Sequence, residues 1–255
     1  MRTREVSMGR RIDPEGSEIR ATRRFVSLEG ARVLDVGCGE GRLTARLATV
    51  AKEAFGLDPV EDDVVRGWSL TSPALRRRMT LGVGAGEDLP FHDGAFDVVF
   101  FSWSLCCMAS VSNMKDALHE AWRVLRPEGY LVNLQPSLYQ PFARGAITYL
   151  ITGQRQDLVM DEGSALPSDA RFALEHTTLY AGMFDLLGEE EFEIHTYYDT
   201  EEELLERLVQ GREKAYAALP EDTRAEIQQR LTALRIPEGV LRSENAILTA
   251  LRRSP

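Results

Sequence analysis

Three glycines at alternate positions follow a short apolar run early in the chain. The run covers residues 33–36, and the glycines are Gly37, Gly39 and Gly41. Beyond them, over residues 43–51, apolar side chains recur at the i, i+4, i+7 spacing of one helix face. In a strand–turn–helix unit of this kind, glycines let the backbone approach a ligand closely, and the helix N-terminus presents N–H groups to it. The pattern therefore predicts a nucleotide-binding turn.

Two acidic residues narrow down the nucleotide. Asp35 lies inside the first run, and Asp58 ends the next apolar run, residues 54–57. The glycine spacing G-x-G-x-G differs from the G-x-G-x-x-G of dinucleotide sites, which disfavours an NAD-dependent oxidoreductase. A carboxylate at Asp35 suits a cationic amino group, and one at Asp58 can accept hydrogen bonds from both ribose hydroxyls. An adenosine linked to an amino acid meets both demands. The pattern predicts S-adenosylmethionine as the cofactor, with S-adenosylhomocysteine as its product.

Two later blocks carry a resemblance to a known family. Residues 89–99 read LPFHDGAFDVV, and residues 120–131 read EAWRVLRPEGYL. Together with the two acidic strands, they resemble the class I S-adenosylmethionine-dependent methyltransferases, in their type 11 branch, over roughly residues 20–136. The resemblance implies an α/β fold: a Rossmann-like, doubly wound, mainly parallel seven-stranded sheet with an antiparallel last strand, plus a mostly helical cap.

The glycine block and the resemblance together indicate which residues contact the cofactor. The family often has Asp or Asn at an adenine contact where this chain has Ala85, so backbone N–H groups near Gly86 and Glu87 are expected to meet the ring instead. The candidate cofactor-binding residues are Asp35, Gly37, Cys38, Gly39, Gly41, Asp58, Pro59, Gly86, Glu87 and Ser102.

Chain organisation follows from the same patterns. A helix is expected from residue 15 to 28, another from residue 168 or 169 to 187, and a strand over residues 192–198. Thr200 and Glu203 have the spacing of a capping box at the start of a helix. The predicted domains are a flexible N-terminus at 1–14, a cofactor-binding core at 15–136, helical cap or substrate segments at 137–190 and 201–236, and late strands at 191–199 and 245–252.

Composition limits the partners. The 255 residues carry a formal net charge of -10, which argues against nucleic acid as the main partner. No apolar stretch is long enough to span a bilayer and no secretory signal is evident, so neither a membrane partner nor export is expected. Three cysteines give no disulfide framework, and a cytoplasmic location is predicted. The oligomeric state is left open.

Two histidines are the candidate general bases. His176 falls on the apolar face of the predicted helix, and His195 lies on the more polar face of the predicted strand. A purely structural role is the alternative for both. Cys106 and Cys107 stand where the family often has histidines; they are interpreted as packing residues or as a thiolate near the substrate. No metal-ligand spacing such as C-x-x-C is found, so no metal is predicted.

The leading functional prediction is an S-adenosylmethionine-dependent methyltransferase that transfers a methyl group to a small-molecule acceptor by in-line displacement. Methyl transfer from a sulfonium needs positioning more than it needs a conspicuous catalytic motif. One alternative is a catalytically silent cofactor-binding scaffold or regulatory protein. The less favoured alternative is an NAD-dependent oxidoreductase.

Overall fold

The described chain divides into two compact units. The computed structural model describes residues 11–137, 167–209 and 213–255. The unit termed here the core unit contains the described residues 18–137, 167–191 and 246–255. The second unit contains the described residues 11–17, 192–209 and 213–245.

Nine strands and eight α-helices are found among these residues. The strands are β1 (Arg11–Ile12), β2 (Arg32–Val36), β3 (Glu53–Asp58), β4 (Met79–Val83), β5 (Phe96–Ser102), β6 (Leu125–Pro136), β7 (Phe184–Tyr198), β8 (Arg235–Ile236) and β9 (Gly239–Arg253). The helices are α1 (Ser17–Thr22), α2 (Arg42–Val50), α3 (Glu61–Leu70), α4 (Val111–Val124), α5 (Pro167–Glu175), α6 (Glu201–Val209), α7 (Glu213–Ala217) and α8 (Glu221–Thr232). None of these helices is both long and apolar enough to cross a membrane.

Seven strands run through the core unit, in the order β4-β3-β2-β5-β6-β9-β7, and the two-residue strands β1 and β8 pair with β7 and β9 to make nine strands in all among the described residues. Strand pairs β2–β3, β3–β4, β2–β5 and β5–β6 are parallel, whereas β9 runs antiparallel to β6. Helices α2 and α3 pack near β3 and β4, and α4 packs near β6. This arrangement confirms the predicted fold class, including the antiparallel last strand.

Burial explains why the central strands read as continuous apolar runs. Val33, Leu34 and Val36 of β2 are all at most 1% exposed, and Val98–Phe101 of β5 are fully buried. Parallel strands that are covered on both faces lose the alternation of apolar and polar residues that marks a half-exposed strand. The apolar run before the glycines is therefore a central strand of the sheet, β2, and the glycines follow directly where the chain leaves that strand.

The register brings the carboxyl ends of the central strands to one edge. Val36 of β2 pairs with Leu57 of β3 and with Phe101 of β5, while Asp58 pairs with Val83 of β4. The segments that follow these residues therefore start side by side. Ligands of open α/β sheets bind at this edge.

The predicted helix of residues 168–187 is wrong in its second half. Helix α5 ends at Glu175, a π-helical turn covers His176–Tyr180, and β7 begins at Phe184. Gly182 between them has a φ of 63°, a left-handed conformation that glycine adopts without strain. The buried face also differs from the apolar face that the sequence predicts. Phe172, Leu179 and Tyr180 of that predicted face are exposed. The buried residues are instead Ala170, Ala173, Leu174 and Thr177.

Other boundaries differ more modestly. The helix expected at residues 15–28 is only α1, β9 begins at Gly239 rather than at residue 245, and β7 begins before residue 191. Arg11 and Ile12, inside the N-terminus predicted to be flexible, pair with Tyr197 and Thr196 of β7. A helix expected near residues 143–150 lies outside the described residues.

The second unit has its own apolar cluster. Its buried members are Tyr198, Leu204, Ile227, Leu231 and Val240. The capping role of Thr200 at α6 is confirmed, because the Glu203 N–H donates to Thr200 Oγ1 at 3.2 Å. The return bond differs from a standard capping box, because Glu203 Oε2 accepts from the Asp199 N–H, at 2.9 Å, rather than from that of Thr200. That this unit or residues 137–190 select a substrate stays a prediction.

Candidate functional site

The glycine turn crosses over the end of β3. Gly37, Gly39 and Gly41 have φ values of 74°, 53° and 77°, all in the left-handed region. The N–H groups of Gly37 and Cys38 both donate to the Leu57 carbonyl, at 2.7 and 3.1 Å, and the Gly41 N–H donates to the Cys38 carbonyl at 2.9 Å. These bonds fix the turn against the neighbouring strand before any ligand is present.

The three glycines do different jobs. A Cβ atom on Gly37 would overlap the Cβ of Ser104, and one on Gly41 would lie 2.7 Å from Met79 Cε. A Cβ atom on Gly39 would meet no atom within 4 Å. Packing inside the protein therefore excludes a side chain at Gly37, and one at Gly41 would have to displace the ends of flexible side chains, whereas Gly39 faces open space. Gly39 is the glycine whose missing side chain leaves room for a ligand.

Asp58 is brought directly against Gly39. Its Oδ2 accepts a hydrogen bond from the Gly39 N–H at 2.7 Å, and its Oδ1 accepts from the Val60 N–H at 2.9 Å. The residue is 8% exposed, at the carboxyl end of β3. Each carboxylate oxygen can accept a second hydrogen bond, so the geometry leaves acceptor capacity for ribose hydroxyls. That contact stays a prediction.

Asp35 is the most unusual group at the site. It is 1% exposed, and its Oδ2 accepts a hydrogen bond from Thr44 Oγ1 at 2.6 Å. Its Oδ1 is buried and has no hydrogen-bond partner among the described residues. Burial raises the pKa of Asp35 to about 6, against the opposing effects of the Thr44 hydrogen bond and the Arg42 charge. Asp35 is thus still mostly ionised at neutral pH.

The unpaired Asp35 Oδ1 atom indicates which kind of ligand group would fit beside it. Leaving a buried carboxylate oxygen unpaired is costly, and a cationic donor would relieve the cost. The amino group of S-adenosylmethionine is such a donor, and the open space at Gly39 lies on the turn that directly follows β2, the strand that carries Asp35. The residues present therefore suit this cofactor: Asp35 for its amino group, Gly39 for close approach and Asp58 for its ribose.

The remaining candidates occupy the loops next to the glycine turn. A Cβ on Gly86 would lie 3.0 Å from Val36 Cγ1, which places Gly86 close to the end of β2. Glu87 accepts a hydrogen bond from Asn113 Nδ2 at 2.9 Å, so its side chain is tied to the start of α4. Ser102 Oγ is buried without a partner among the described residues, and Pro59 is exposed.

Cys38 is a packing residue of the turn. A Cβ on Gly56 would lie 2.8 Å from both Cys38 Sγ and Thr44 Oγ1, so the sulfur fills the space that Gly56 leaves on β3. Burial, with the nearby charges of Asp35 and Asp58, raises the pKa of the Cys38 thiol. The shift favours the protonated thiol.

Sequence reasoning missed the residues that hold this site from a distance. Ser104, beyond β5, donates a hydrogen bond to the Val36 carbonyl at 2.5 Å, and Thr44 bonds to Asp35. Glu18 of α1 binds Arg42, the first residue of α2. A hydroxyl in the first turn of α2 was the only sequence signal available for Thr44. Nothing in the local pattern indicates Glu18 or Ser104.

The two candidate bases belong to different units. His176, in the core unit, has its ring between those of Phe172 and Tyr180, with centroid distances of 6.4 and 5.9 Å, and its Nδ1 is buried without a partner among the described residues. His195, in the second unit, lies 3.5 Å from Glu15 Oε1 and 3.4 Å from Glu193 Oε2. A catalytic role for either stays a prediction.

Cys106 and Cys107 lie in a short 3-10 turn, Leu105–Cys107, directly beyond β5. Cys106 is buried and Cys107 is exposed, and both thiols approach the Trp103 carbonyl, at 3.9 and 3.0 Å. A hydrogen bond with Cys107, together with burial, raises the pKa of Cys106. Cys106 therefore packs as a small apolar residue, while the Cys107 sulfur reaches solvent.

Comparison with known families agrees with this geometry. Residues 34–133 match a family described as "Methyltransferase domain", and the match covers the glycine turn, Asp58 and strands β2–β5. The match agrees with the methyltransferase family, and with S-adenosylmethionine as the cofactor, that the motifs predict for this segment.

Curated relatives match the same part of the chain. A demethylmenaquinone methyltransferase of Symbiobacterium thermophilum is 37% identical over 121 residues, which are 45% of this chain and 45% of the relative. The ubiquinone/menaquinone biosynthesis C-methyltransferase UbiE of Dinoroseobacter shibae is 38% identical over 107 residues, 41% of this chain and 42% of the relative. The chain thus matches less than half the length of either relative.

Solved structures share the fold over most of the chain. A SAM-dependent methyltransferase from Methanosarcina mazei is 16% identical, with a TM-score of 0.55, and the match covers 91% of this chain and 96% of that one. The [4+2]-cyclase SpnF is 21% identical, with a TM-score of 0.57, and the match covers 92% of this chain and 80% of that one. At these identities the likeness shows the fold alone.

Proposed function

We propose that this protein transfers the methyl group of S-adenosylmethionine to a small-molecule acceptor. The observation that carries the proposal is the buried Asp35 carboxylate of β2, with one oxygen unpaired among the described residues, followed on the turn beyond β2 by the open Gly39, whose N–H is bound by Asp58. An acidic pocket for an amino group beside an acceptor for ribose hydroxyls describes this cofactor better than a pyrophosphate-bearing one. The methyltransferase domain match supports the same conclusion.

The protein contributes binding and positioning. The bound cofactor supplies a methyl group on a sulfonium, whose leaving group is a neutral thioether. Asp35 would hold the amino group of the bound cofactor, and Asp58 would hold its ribose hydroxyls. Holding the reacting atoms in line supplies much of the rate enhancement in reactions of this type.

For the acceptor we propose an aromatic quinol of the class named in the curated relatives. Both relatives bear names of quinone-pathway methyltransferases, and one name specifies transfer to carbon. A ring carbon of a quinol becomes a good nucleophile when the adjacent hydroxyl loses its proton, so this acceptor calls for a general base. His176 is the candidate in the core unit, because its buried Nδ1 has no partner among the described residues.

A second candidate is a protein that binds the cofactor without transferring its methyl group. The fold shared with the cyclase SpnF favours keeping this candidate, because that protein is named for a different reaction. The pair Cys106–Cys107, in place of the histidines often found in the family, points the same way.

Two measurements test the proposal. Titration calorimetry with S-adenosylhomocysteine and with NADH comes first: binding of the former alone supports the cofactor, and binding of NADH alone contradicts it. Incubation with S-adenosylmethionine and a panel of demethylated quinols follows, with mass spectrometry of the products. Gain of one methyl group that depends on Asp35 supports transfer, whereas tight binding without any methylated product favours the second candidate.

A further inference from the structure

A buried carboxylate outside the matched domain connects three elements at the cofactor edge. Glu18, on α1, is 1% exposed. Its Oε2 and Oε1 accept hydrogen bonds from Arg42 Nη1 and Nη2, at 2.6 and 2.7 Å, and Oε1 also accepts from Trp103 Nε1 at 3.0 Å. Arg42 is the first residue of α2, directly beyond Gly41, and Trp103 directly follows β5.

This bidentate pair fixes the direction of the Arg42 guanidinium. Planar guanidinium–carboxylate pairs of this type are strong and directional, and pairing with a cation favours the ionised form of a buried carboxylate. Burial by itself would raise the pKa of Glu18, but the hydrogen bonds and the charge of Arg42 outweigh burial and hold this pKa below its usual range. Glu18 is therefore an anion that holds Arg42 in one place.

Arg42 has a second carboxylate within electrostatic reach. Its charge lowers the pKa of Asp35, while the charge of Glu18 raises it, so the three groups form one electrostatic cluster. The cluster contains two carboxylates around this guanidinium. The Asp35 Oδ1 atom, buried without a partner among the described residues, is where the uncompensated negative charge remains.

We propose that Glu18 is a positioning residue of the cofactor site: by holding Arg42, it keeps the guanidinium away from Asp35 and reserves Asp35 for the amino group of the cofactor. Without Glu18, the Arg42 guanidinium, whose charge already acts on Asp35, would be released to pair with the unpaired oxygen. It would then compete with the ligand's amino group. The inference rests on the proposed function, because it requires that the ligand carry that group.

The test compares two ligands that differ in the amino-acid end. S-adenosylhomocysteine carries the amino group, and 5′-methylthioadenosine lacks it. We expect Glu18→Ala to raise the dissociation constant of S-adenosylhomocysteine by at least about tenfold, as truncating a buried charge partner does elsewhere. Affinity for 5′-methylthioadenosine should stay within about twofold, because that ligand has no amino group for Asp35 to bind. A merely structural role would weaken both ligands.

A second substitution provides the sharper readout. Replacing Arg42 by Met in the Glu18→Ala protein removes the competing guanidinium, so affinity for S-adenosylhomocysteine should recover most of the loss. Glu18→Gln, which keeps the shape, is measured in case the alanine variant fails to fold. Asp97→Asn is the matched control: Asp97 also pairs with an arginine, Arg126, and accepts a backbone N–H, from Arg32, but at the opposite end of β5.

The outcomes separate the two proposals. Wild-type binding of S-adenosylhomocysteine, with unchanged affinity in folded Glu18 variants, overturns the positioning role and leaves the proposed function intact. Equal weakening of both ligands, or no recovery on adding Arg42→Met, also overturns it. A wild-type protein that binds neither ligand overturns the proposed function and the inference together.

Discussion

The Asp58 carboxylate accepts a hydrogen bond from the Gly39 N–H at 2.7 Å, which joins the end of β3 to the middle of the glycine turn. These are the second acid and the second glycine of the predicted site, 19 positions apart in the chain. The bond means that a change at either residue disturbs the other. Substitutions at these two residues therefore have to distinguish the loss of a ligand contact from the loss of this hydrogen bond within the protein.

For Asp58, we compare replacement by Asn and by Ala. Asn keeps an oxygen that can accept from Gly39, whereas Ala removes both acceptors. We expect Asp58→Ala to weaken S-adenosylhomocysteine binding by about 1.5–3 kcal/mol, the range for hydrogen bonds to a charged group, and Asp58→Asn to weaken it less. Calorimetry measures both. An unchanged dissociation constant in folded Asp58→Ala would rule out the ribose role.

Replacing Gly39 by Ala should abolish cofactor binding at a modest cost in stability. The added methyl meets no protein atom within 4 Å, so the cost arises from a φ of 53°. Gly30→Ala is the matched control, because Gly30 also has a left-handed φ, 74°, and open space around its Cβ. Both variants should lose about 1–2 kcal/mol of unfolding free energy. Only the Gly39 variant should lose cofactor binding. Normal binding by the Gly39 variant would show that the glycine turn does not contact the cofactor.

Cofactor affinity should depend on the protonation of Asp35. Burial raises the pKa of this group from 3.8 to about 6, opposed by the Thr44 hydrogen bond and the Arg42 charge and assisted by the Glu18 charge. Protonation below that pKa removes the partner of the amino group. The dissociation constant of S-adenosylhomocysteine should thus rise by up to about tenfold per pH unit as the pH falls below 6. Asp35→Asn should bind weakly and without this pH dependence.

The same shift has the opposite sign for the stability of the free protein. Because the folded pKa of Asp35 is raised, its contribution to stability is fully present below the unfolded value of 3.8 and is lost as the pH rises through about 6. Chemical denaturation of wild type and Asp35→Asn across this range measures the difference. A wild-type protein that gains stability relative to the variant as the pH rises from 4 to 7 would contradict the assignment.

Between the two histidines, we expect His176→Ala to have the larger effect on turnover. A general base contributes about 100-fold or more to the rate, and its loss also removes the fall in rate on the acidic side of the pH profile. His195→Ala is the control, because it removes the same type of side chain from a position where the ring nitrogens lie near Glu15 and Glu193. Cofactor affinity should stay constant in both variants. If neither variant alters turnover with an acceptor that the wild-type protein methylates, catalysis by positioning alone is the better account.

Thiol reactivity tests the environment of the three cysteines. Cys107 is exposed, whereas burial raises the pKa of Cys38, and a hydrogen bond with Cys107 together with burial raises that of Cys106. Because the thiolate is the reacting form, one fast thiol is expected in the folded protein, and Cys107→Ser should remove it. A fast phase that persists in Cys107→Ser would mean that a buried cysteine is accessible.

Local patterns predicted the strand, turn and helix around the glycines because such a unit depends on neighbouring residues. The apolar run, the three glycines and the return of helical spacing lie within residues 33–51, and the structure confirms that strand, turn and helix follow in that order. The capping role of Thr200 at α6 is equally local and is also confirmed. By contrast, the apolar spacing of residues 176–187 indicates a helix, yet a left-handed Gly182 ends it and β7 begins soon after.

The sequence by itself determined the strand–turn–helix unit, the two acids and the family to which residues 34–133 belong. Only the tertiary structure decided which glycine faces a ligand, because Ser104 and Met79 reach Gly37 and Gly41 from distant parts of the chain. It also decided that Asp35 keeps one oxygen unpaired while Glu18, 24 positions before Arg42, holds that arginine. The physical reason is that spacing along the chain specifies period and turn. The pairing of a buried charge is specified by whichever residues folding brings within hydrogen-bond distance.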